Sequence, residues 1–161
     1  MPSQRDLRFA ALARGFEVDL GQLLHAVNNY QLAVLHDGIL HVSGQLPRNA
    51  QGVADTGSAG DTVSFEAAQH AARLCAVRAL AVMHQTVGTL DAIERLLSMT
   101  VYVHSAPDFT RQSEVADAAS ALLHDLLGTA GQHARSAVGV LQLPKNATVE
   151  IDLRAAIRRS S

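Results

Sequence analysis

Arg135 lies in a stretch of small and aliphatic residues that runs from position 134 to position 144. A guanidinium keeps its proton and is costly to bury without an anionic partner. Within ten positions on either side, the only acidic residue is Asp125. Two explanations are open: either a carboxylate distant in the sequence folds onto Arg135, or a bound ligand supplies the anion. We take the ligand as the leading hypothesis.

Glu150 lies in a segment, residues 148–156, where Val149, Ile151 and Leu153 alternate with charged residues. This alternation predicts a strand with one buried face and one polar face, and it places Glu150 on the polar face. By pattern alone, Glu150 is a surface residue of that strand.

The spacing of Arg135 and Glu150 predicts how one site could use both. If the last two strands form a hairpin about residues 144–146, the two side chains fall roughly 20 Å apart, at about 3.4 Å per residue. A site that uses both would then take one of them from a second copy of the chain. The inference holds only if the two strands are neighbours in the sheet.

Other chemistry-bearing residues give weaker signals. The eight histidines, at 25, 36, 41, 70, 84, 104, 124 and 133, include no pair at the helical spacing of four, so we predict no metal site. Cys75 falls on the apolar side of a helix and is expected to be an inert core thiol. No Gly-x-Ser-x-Gly elbow or phosphate-cradling glycine loop occurs, and we predict no cofactor.

Composition bounds the class of protein. The 161 residues, 48% of them apolar, suit one domain with one core. The formal net charge is −2 with dispersed charges, which argues against nucleic acid as a partner. The one basic cluster, Arg154, Arg158 and Arg159, is interpreted as a solvated tail. A single cysteine, no secretory signal and no apolar run of about 20 residues predict a cytoplasmic protein without a membrane partner.

Periodicity and turn residues predict the elements that must position these side chains. The expected order is a helix over 3–14, a lead-in over 15–29, strands over 30–35 and 38–43 joined at Asp37-Gly38, a loop over 44–61, a helix over 64–86, a helically spaced run over 90–97, a strand over 98–104, a helix over 110–127, and strands over 135–143 and 148–156.

This order predicts an α+β fold: one mixed sheet with the two long helices on one face. The other face of such a sheet needs cover, because exposed apolar patches of that size are rare in monomers. We therefore expect a homo-oligomer.

Several segments together resemble the RidA/YjgF family, also known as the endoribonuclease L-PSP family. The matching segments, in the family's order, are 41–47 (His-Val-Ser-Gly-Gln-Leu-Pro), the helix with Cys75, 101–109 (Val-Tyr-Val-His-Ser-Ala-Pro-Asp-Phe), 134–145 (Ala-Arg-Ser-Ala-Val-Gly-Val-Leu-Gln-Leu-Pro-Lys) and 149–151 (Val-Glu-Ile). The resemblance divides the chain into an N-terminal helix and lead-in, residues 1–27, and a RidA/YjgF-like domain, residues 28–161.

The resemblance implies a chorismate-mutase-like fold and a homotrimer with ligand clefts between subunits. It also implies hydrolysis of reactive 2-imino and enamine acids to 2-oxo acids and ammonia. By this resemblance, Arg135 is expected to bind the substrate carboxylate and Glu150 to bind the attacking water. A bidentate guanidinium suits a planar carboxylate, and a carboxylate that exchanges a proton suffices for an imine.

The resemblance further implies roles in substrate binding for five positions. Tyr30 lines the pocket, and backbone amides at Ser43, Gly44 and Ala137 approach the ligand. Asp117 occupies the place in the second long helix where the family usually has asparagine, and its carboxylate is expected to repel an anionic substrate.

The sequence also allows two other functions. The first is a non-catalytic trimeric module that binds small carboxylates in the same cleft. The second is the ribonuclease activity in the older family label, which the dispersed charge supports poorly.

Overall fold

A five-stranded mixed sheet, covered on one face by two long helices, forms the centre of this computed structural model, which describes residues 1–22 and 24–159. The elements are α1 (Gln4–Gly15), β1 (Ala33–His36), β2 (Ile39–Gln45), β3 (Arg48–Asn49), β4 (Gly52–Val53), α2 (Phe65–Val87), β5 (Ile93–His104), α3 (Gln112–Leu127), β6 (Ala134–Val140) and β7 (Val149–Ile157). The α+β prediction, with both long helices on one face, is confirmed. In the part of the chain that the structure describes, no helix has the length and apolar character needed to cross a membrane.

The strand order β1-β2-β7-β5-β6 corrects the hairpin on which the sequence argument about Arg135 and Glu150 depended. β5 lies between β6 and β7, parallel to β6 and antiparallel to β7. The segment 144–146 therefore connects β6 to β7 across β5, and the two strands do not form a hairpin. The expected separation of about 20 Å has no basis in this topology.

The first hairpin is confirmed, with a change at its start. Asp37 and Gly38 both have positive φ, 49° and 77°, as a two-residue hairpin turn requires. β1 begins at Ala33 rather than at position 30, so Tyr30 precedes the strand instead of opening it.

Two other boundaries differ from the sequence prediction. The segment 44–61 contains the small ribbon of β3 and β4 rather than an unbroken loop. β5 begins at Ile93, within the run that was expected to be helical. The spacing looks helical because two bulges interrupt the alternation of the strand. These bulges space the buried residues Ile93, Leu96 and Met99 three apart, which imitates a helix in the sequence.

The helix α2 lies within a residue of the predicted range 64–86 and is capped at both ends. The Ser64 hydroxyl accepts a hydrogen bond from the Ala67 amide at 3.1 Å, and the helix ends at Gly88, whose φ of 84° suits glycine. Its small residues pack closely on the sheet, and Cys75 is fully buried among them, as predicted.

Asp6 fixes α1 to the rest of the chain. Its carboxylate accepts hydrogen bonds from the Leu90 amide at 2.8 Å and the Thr89 hydroxyl at 2.7 Å, and it forms a capping box with Ser3. Burial acts to raise the pKa of Asp6, but these hydrogen bonds outweigh burial and lower it. Phe9 of the same helix is fully buried in the core. The N-terminal helix is thus an integral part of the packing.

Candidate functional site

Four of the predicted site residues meet on the open face of the sheet. Tyr30, Ser43, Gly44 and Glu150 line one cavity of about 470 Å³, together with Asp152. Glu150 also lines a neighbouring cavity of about 750 Å³ beyond the end of β2. The strand β2 has a bulge between Val42 and Gln45, so Ser43 and Gly44 lie outside its regular pairing with β7.

The Glu150 side chain lies so close to Gly44 that it leaves no room for a Cβ at position 44. A Cβ at position 44 would overlap Oε1 of Glu150 and lie 2.9 Å from its Cδ. The absence of a side chain therefore gives the Glu150 carboxylate its place in the cavity. The neighbouring Ser43 is used within the chain, since its amide donates to the Leu32 carbonyl at 2.8 Å and its hydroxyl to the Gln31 carbonyl at 2.7 Å.

The surroundings of Glu150 favour its protonated form. Burial is the largest cause, followed by the negative charge of Asp152, and together they raise the pKa of Glu150 above its usual value. Asp152 itself accepts a hydrogen bond from the Tyr102 hydroxyl at 3.2 Å. A carboxylate with a raised pKa is a stronger base than an ordinary one, which suits it to taking a proton from water and returning it.

Arg135 has an acidic partner within its own chain. Its Nη1 donates to Oδ1 of Asp117 at 2.8 Å and to the Ser120 hydroxyl at 3.1 Å, and its Nη2 donates to the Ser113 carbonyl at 3.3 Å. Of the two explanations left open by the sequence, a distant carboxylate is the one seen in a single chain. The Asp117 side chain is 65% exposed, so the pair lies open on one side.

Space remains beside this ion pair. A cavity of about 480 Å³ adjoins Arg135 and is also lined by Ser120, His124 and His133. His133 bonds the Ser120 hydroxyl at 3.1 Å. The guanidinium is therefore held firmly from the α3 side while a neighbouring volume stays free.

Arg135 and Glu150 project from opposite faces of the sheet. Arg135 pairs with the buried Met99 of β5 and projects toward α3, whereas Glu150 pairs with Tyr102 on the open face. Two strand spacings and three residues separate their Cα atoms, which amounts to about 14 Å. Ala137 pairs with Val101 and shares the face of Arg135. A single chain thus brings Tyr30, Ser43, Gly44 and Glu150 together, and leaves Arg135, Asp117 and Ala137 elsewhere.

The sequence reading missed Arg78. This arginine lies in α2 between the buried residues Val77 and Ala79, and it lines the larger cavity of Glu150. The signal that singled out Arg135, one guanidinium in an apolar stretch, is equally present here. Among residues 1–22 and 24–159, no group of three or more His, Cys, Asp or Glu side chains could hold a metal ion.

Comparisons with known proteins identify the family of this chain. The family model described as "Endoribonuclease L-PSP" matches residues 21–157. A curated protein of Trypanosoma cruzi, Protein TCP17, is 41% identical over 146 residues, which cover 90% of this chain and 91% of that protein. The chain belongs to the endoribonuclease L-PSP family, and the predicted RidA/YjgF membership is confirmed.

Solved structures extend the comparison. The crystal structure of Atu1372 from Agrobacterium tumefaciens, a protein described as having unknown function, is 39% identical with a TM-score of 0.80, covering 94% of this chain and 99% of that one. The YjgF gene product of E. coli is 22% identical with a TM-score of 0.60, covering 89% and 98% of the two chains, and it supports the fold alone.

Proposed function

We propose that this protein hydrolyses 2-imino and enamine acids to 2-oxo acids and ammonia, in clefts between the subunits of a homotrimer. The observation that carries the proposal is the state of Glu150. It is a half-buried carboxylate with a raised pKa, in a cavity that Gly44 keeps open for it. Membership of the RidA/YjgF group, whose members are generally imine deaminases, supports the same reaction.

In the proposed first step, Glu150 accepts a proton from a water while the water oxygen bonds to the imine carbon. The electron pair of the C=N double bond moves to nitrogen, and Glu150 passes the proton to that nitrogen. In the second step Glu150 relays the hydroxyl proton of the carbinolamine to the amine. The C–N bond breaks, ammonia leaves with the bonding pair, and the carbonyl of the 2-oxo acid forms. Glu150 ends each step as a carboxylate.

The substrate carboxylate is assigned to Arg135 of a second copy. Because Arg135 and Glu150 project from opposite faces of one sheet, a site that uses both must combine two chains. A carboxylate in the cavity beside Arg135 can approach the open side of its ion pair with Asp117. A guanidinium already oriented by Ser120 and Asp117 binds such a ligand with little further ordering.

An imine-hydrolysis assay tests the proposal, with an amino-acid oxidase supplying the imine and 2-oxo acid as the product measured. The unmodified protein should accelerate hydrolysis, and Glu150→Gln should reduce kcat at least about 100-fold. Binding of a 2-oxo acid should persist in Glu150→Gln. Glu94→Gln, an exposed carboxylate on β5, is the matched control and should keep full activity. No acceleration by the unmodified protein would refute the proposal.

The Asp117–Arg135 pair favours a second candidate, a trimeric module that binds small carboxylates without turnover. Asp117 competes with the substrate carboxylate for Arg135, so a bound ligand is oriented less firmly than turnover requires. The same assay separates the candidates, because a binding module would bind 2-oxo acids while leaving the rate of imine hydrolysis unchanged.

A further inference from the structure

The larger cavity beside Glu150 is rich in positive charge. Its volume is about 750 Å³, and its lining includes Arg48, Arg78 and Lys145 but only one carboxylate, that of Glu150. Arg48 belongs to the small ribbon, Arg78 to α2 and Lys145 to the turn before β7. Three separate elements therefore direct cations to one space.

None of these three cations has an acidic partner within the described residues. The Nε of Arg78 is buried without a hydrogen bond in that same part of the chain. Burial, and then the positive charge of Arg48, lower the pKa of Arg78. An unpaired, partly buried guanidinium beside a second one costs stability, so packing alone does not account for Arg78.

Lys145 is held at this cavity by an unfavourable backbone. Its φ is 59°, and that of the next residue, Asn146, is 57°. Two consecutive non-glycine residues in the left-handed region cost about 1 kcal/mol each or more. Such strain is found where the position of a residue matters for binding.

We propose that Arg48, Arg78 and Lys145 bind a second anionic group of the substrate, a carboxylate or a phosphate on its side chain. The proposal rests on the proposed function, in which Glu150 acts at the imine carbon and Arg135 of another copy holds the first carboxylate. Since Glu150 and the three cations line the same cavity, the side chain of a substrate held at Glu150 would extend into the space that the cations border. The favoured substrates are then 2-imino acids with an anionic side chain.

Calorimetric binding of products to the intact protein tests this assignment. 2-Oxoglutarate should bind at least about tenfold more tightly than 2-oxobutanoate, because each hydrogen-bonded charge pair adds that much or more. Arg78→Met and Lys145→Met should each remove most of this advantage. Arg73→Met, a change of the same charge on the same helix but outside the cavity, should retain it. Inorganic phosphate is titrated in parallel to identify a phosphate as the preferred anion.

A structural role for Arg78 makes the opposite prediction about stability. If Arg78 serves ligand binding, Arg78→Met should unfold at the same temperature as the unmodified protein or higher, since an unpaired charge leaves the interior. A large loss of thermal stability would assign Arg78 to the packing and overturn its part in the site. Lys145→Met, on the surface, then tests the cluster without perturbing the core.

The outcomes separate this inference from the proposed function. Cluster-dependent binding of 2-oxoglutarate or phosphate without imine turnover would support the anion site and refute the deaminase. Turnover with equal affinity for 2-oxoglutarate and 2-oxobutanoate, and no binding of phosphate, would support the deaminase and overturn the anion site. Loss of preference in Arg73→Met as well as Arg78→Met would also overturn it.

Discussion

Asp6 and Glu150 are two carboxylates shielded from water in different regions of the chain, and their surroundings differ in the donors they supply. The Asp6 carboxylate accepts hydrogen bonds from the Ser3 amide, the Thr89 hydroxyl and the Leu90 amide, and its pKa is lowered. Glu150 faces a cavity beside a second carboxylate, and its pKa is raised. The first carboxylate stabilises the fold. The second is kept at a cost to stability, which is expected of a group that serves chemistry.

Removal of Asp6 should have the largest effect on stability. Asp6→Ala leaves the Leu90 amide and the Thr89 hydroxyl without an acceptor, and we expect a loss of about 3 kcal/mol in the free energy of unfolding. Chemical denaturation measures this loss. Asp108→Ala, in an exposed loop, is the control and should change stability by less than about 0.5 kcal/mol. Equal effects of the two substitutions would remove the structural role given to Asp6.

The two carboxylates should affect pH-dependent stability in opposite directions. The contribution of Asp6, with its lowered pKa, is present above its unfolded pKa of about 3.9 and is lost as pH falls through the folded value. Glu150, with its raised pKa, costs stability as pH rises from its unfolded value of about 4.3 through the folded value. Relative to the unmodified protein, Glu150→Gln should therefore raise the unfolding temperature more at pH 7 than at pH 4. Asp6→Asn should lower the unfolding temperature more at pH 7 than at pH 4. A rise in both variants, or in neither, would contradict the comparison.

Gly44→Ala should shift Glu150 without disturbing the fold. The φ of Gly44 does not require glycine, and the three nearest atoms to the new methyl group all belong to the Glu150 side chain, which can rotate away. We expect kcat for imine hydrolysis to fall at least about tenfold, since a displacement of about 1 Å can cost up to about 100-fold, with a change in stability below about 1 kcal/mol. Gly15→Ala, where the added methyl group meets open space, is the matched control. Unchanged kcat in Gly44→Ala would show that the position of Glu150 is unimportant.

The smallest expected effect is at the ion pair of Arg135. Asp117→Asn removes the charge that competes with a ligand carboxylate but keeps a polar group of the same shape. Affinity for a 2-oxo acid should rise about threefold, since exposed ion pairs contribute up to about 1 kcal/mol. Asp125→Asn, on the same helix, should leave this affinity unchanged. A weaker affinity in Asp117→Asn would indicate that Asp117 binds the ligand itself.

Local signals in the sequence predicted most elements of the fold. The helix predicted over 64–86 and the hairpin turn predicted at Asp37-Gly38 are both confirmed. The two bulges of β5 could not be predicted, because they convert strand alternation into apparent helical spacing. The insertion of β5 between β6 and β7 depends on long-range pairing, for which the sequence has no local signal.

In the candidate site, too, the sequence predicts what has a local signal and misses what depends on long-range packing. Alternation placed Glu150 on a polar face, and the family resemblance added Tyr30, Ser43 and Gly44, all of which line one cavity. The pairing of Arg135 with Asp117, 18 positions earlier, depends on the packing of α3 against β6. Arg78 is absent from the prediction because that prediction considers only the small-residue apolar face of α2.

Complementation between two inactive variants tests the central claim, a site divided between two copies, most directly. Arg135→Ala and Glu150→Gln chains, each inactive alone, are co-expressed and purified together, and imine hydrolysis is measured. Random assembly leaves about a quarter of the interfaces with both native side chains, so the account predicts about a quarter of the native activity. Mixed oligomers without activity would contradict it.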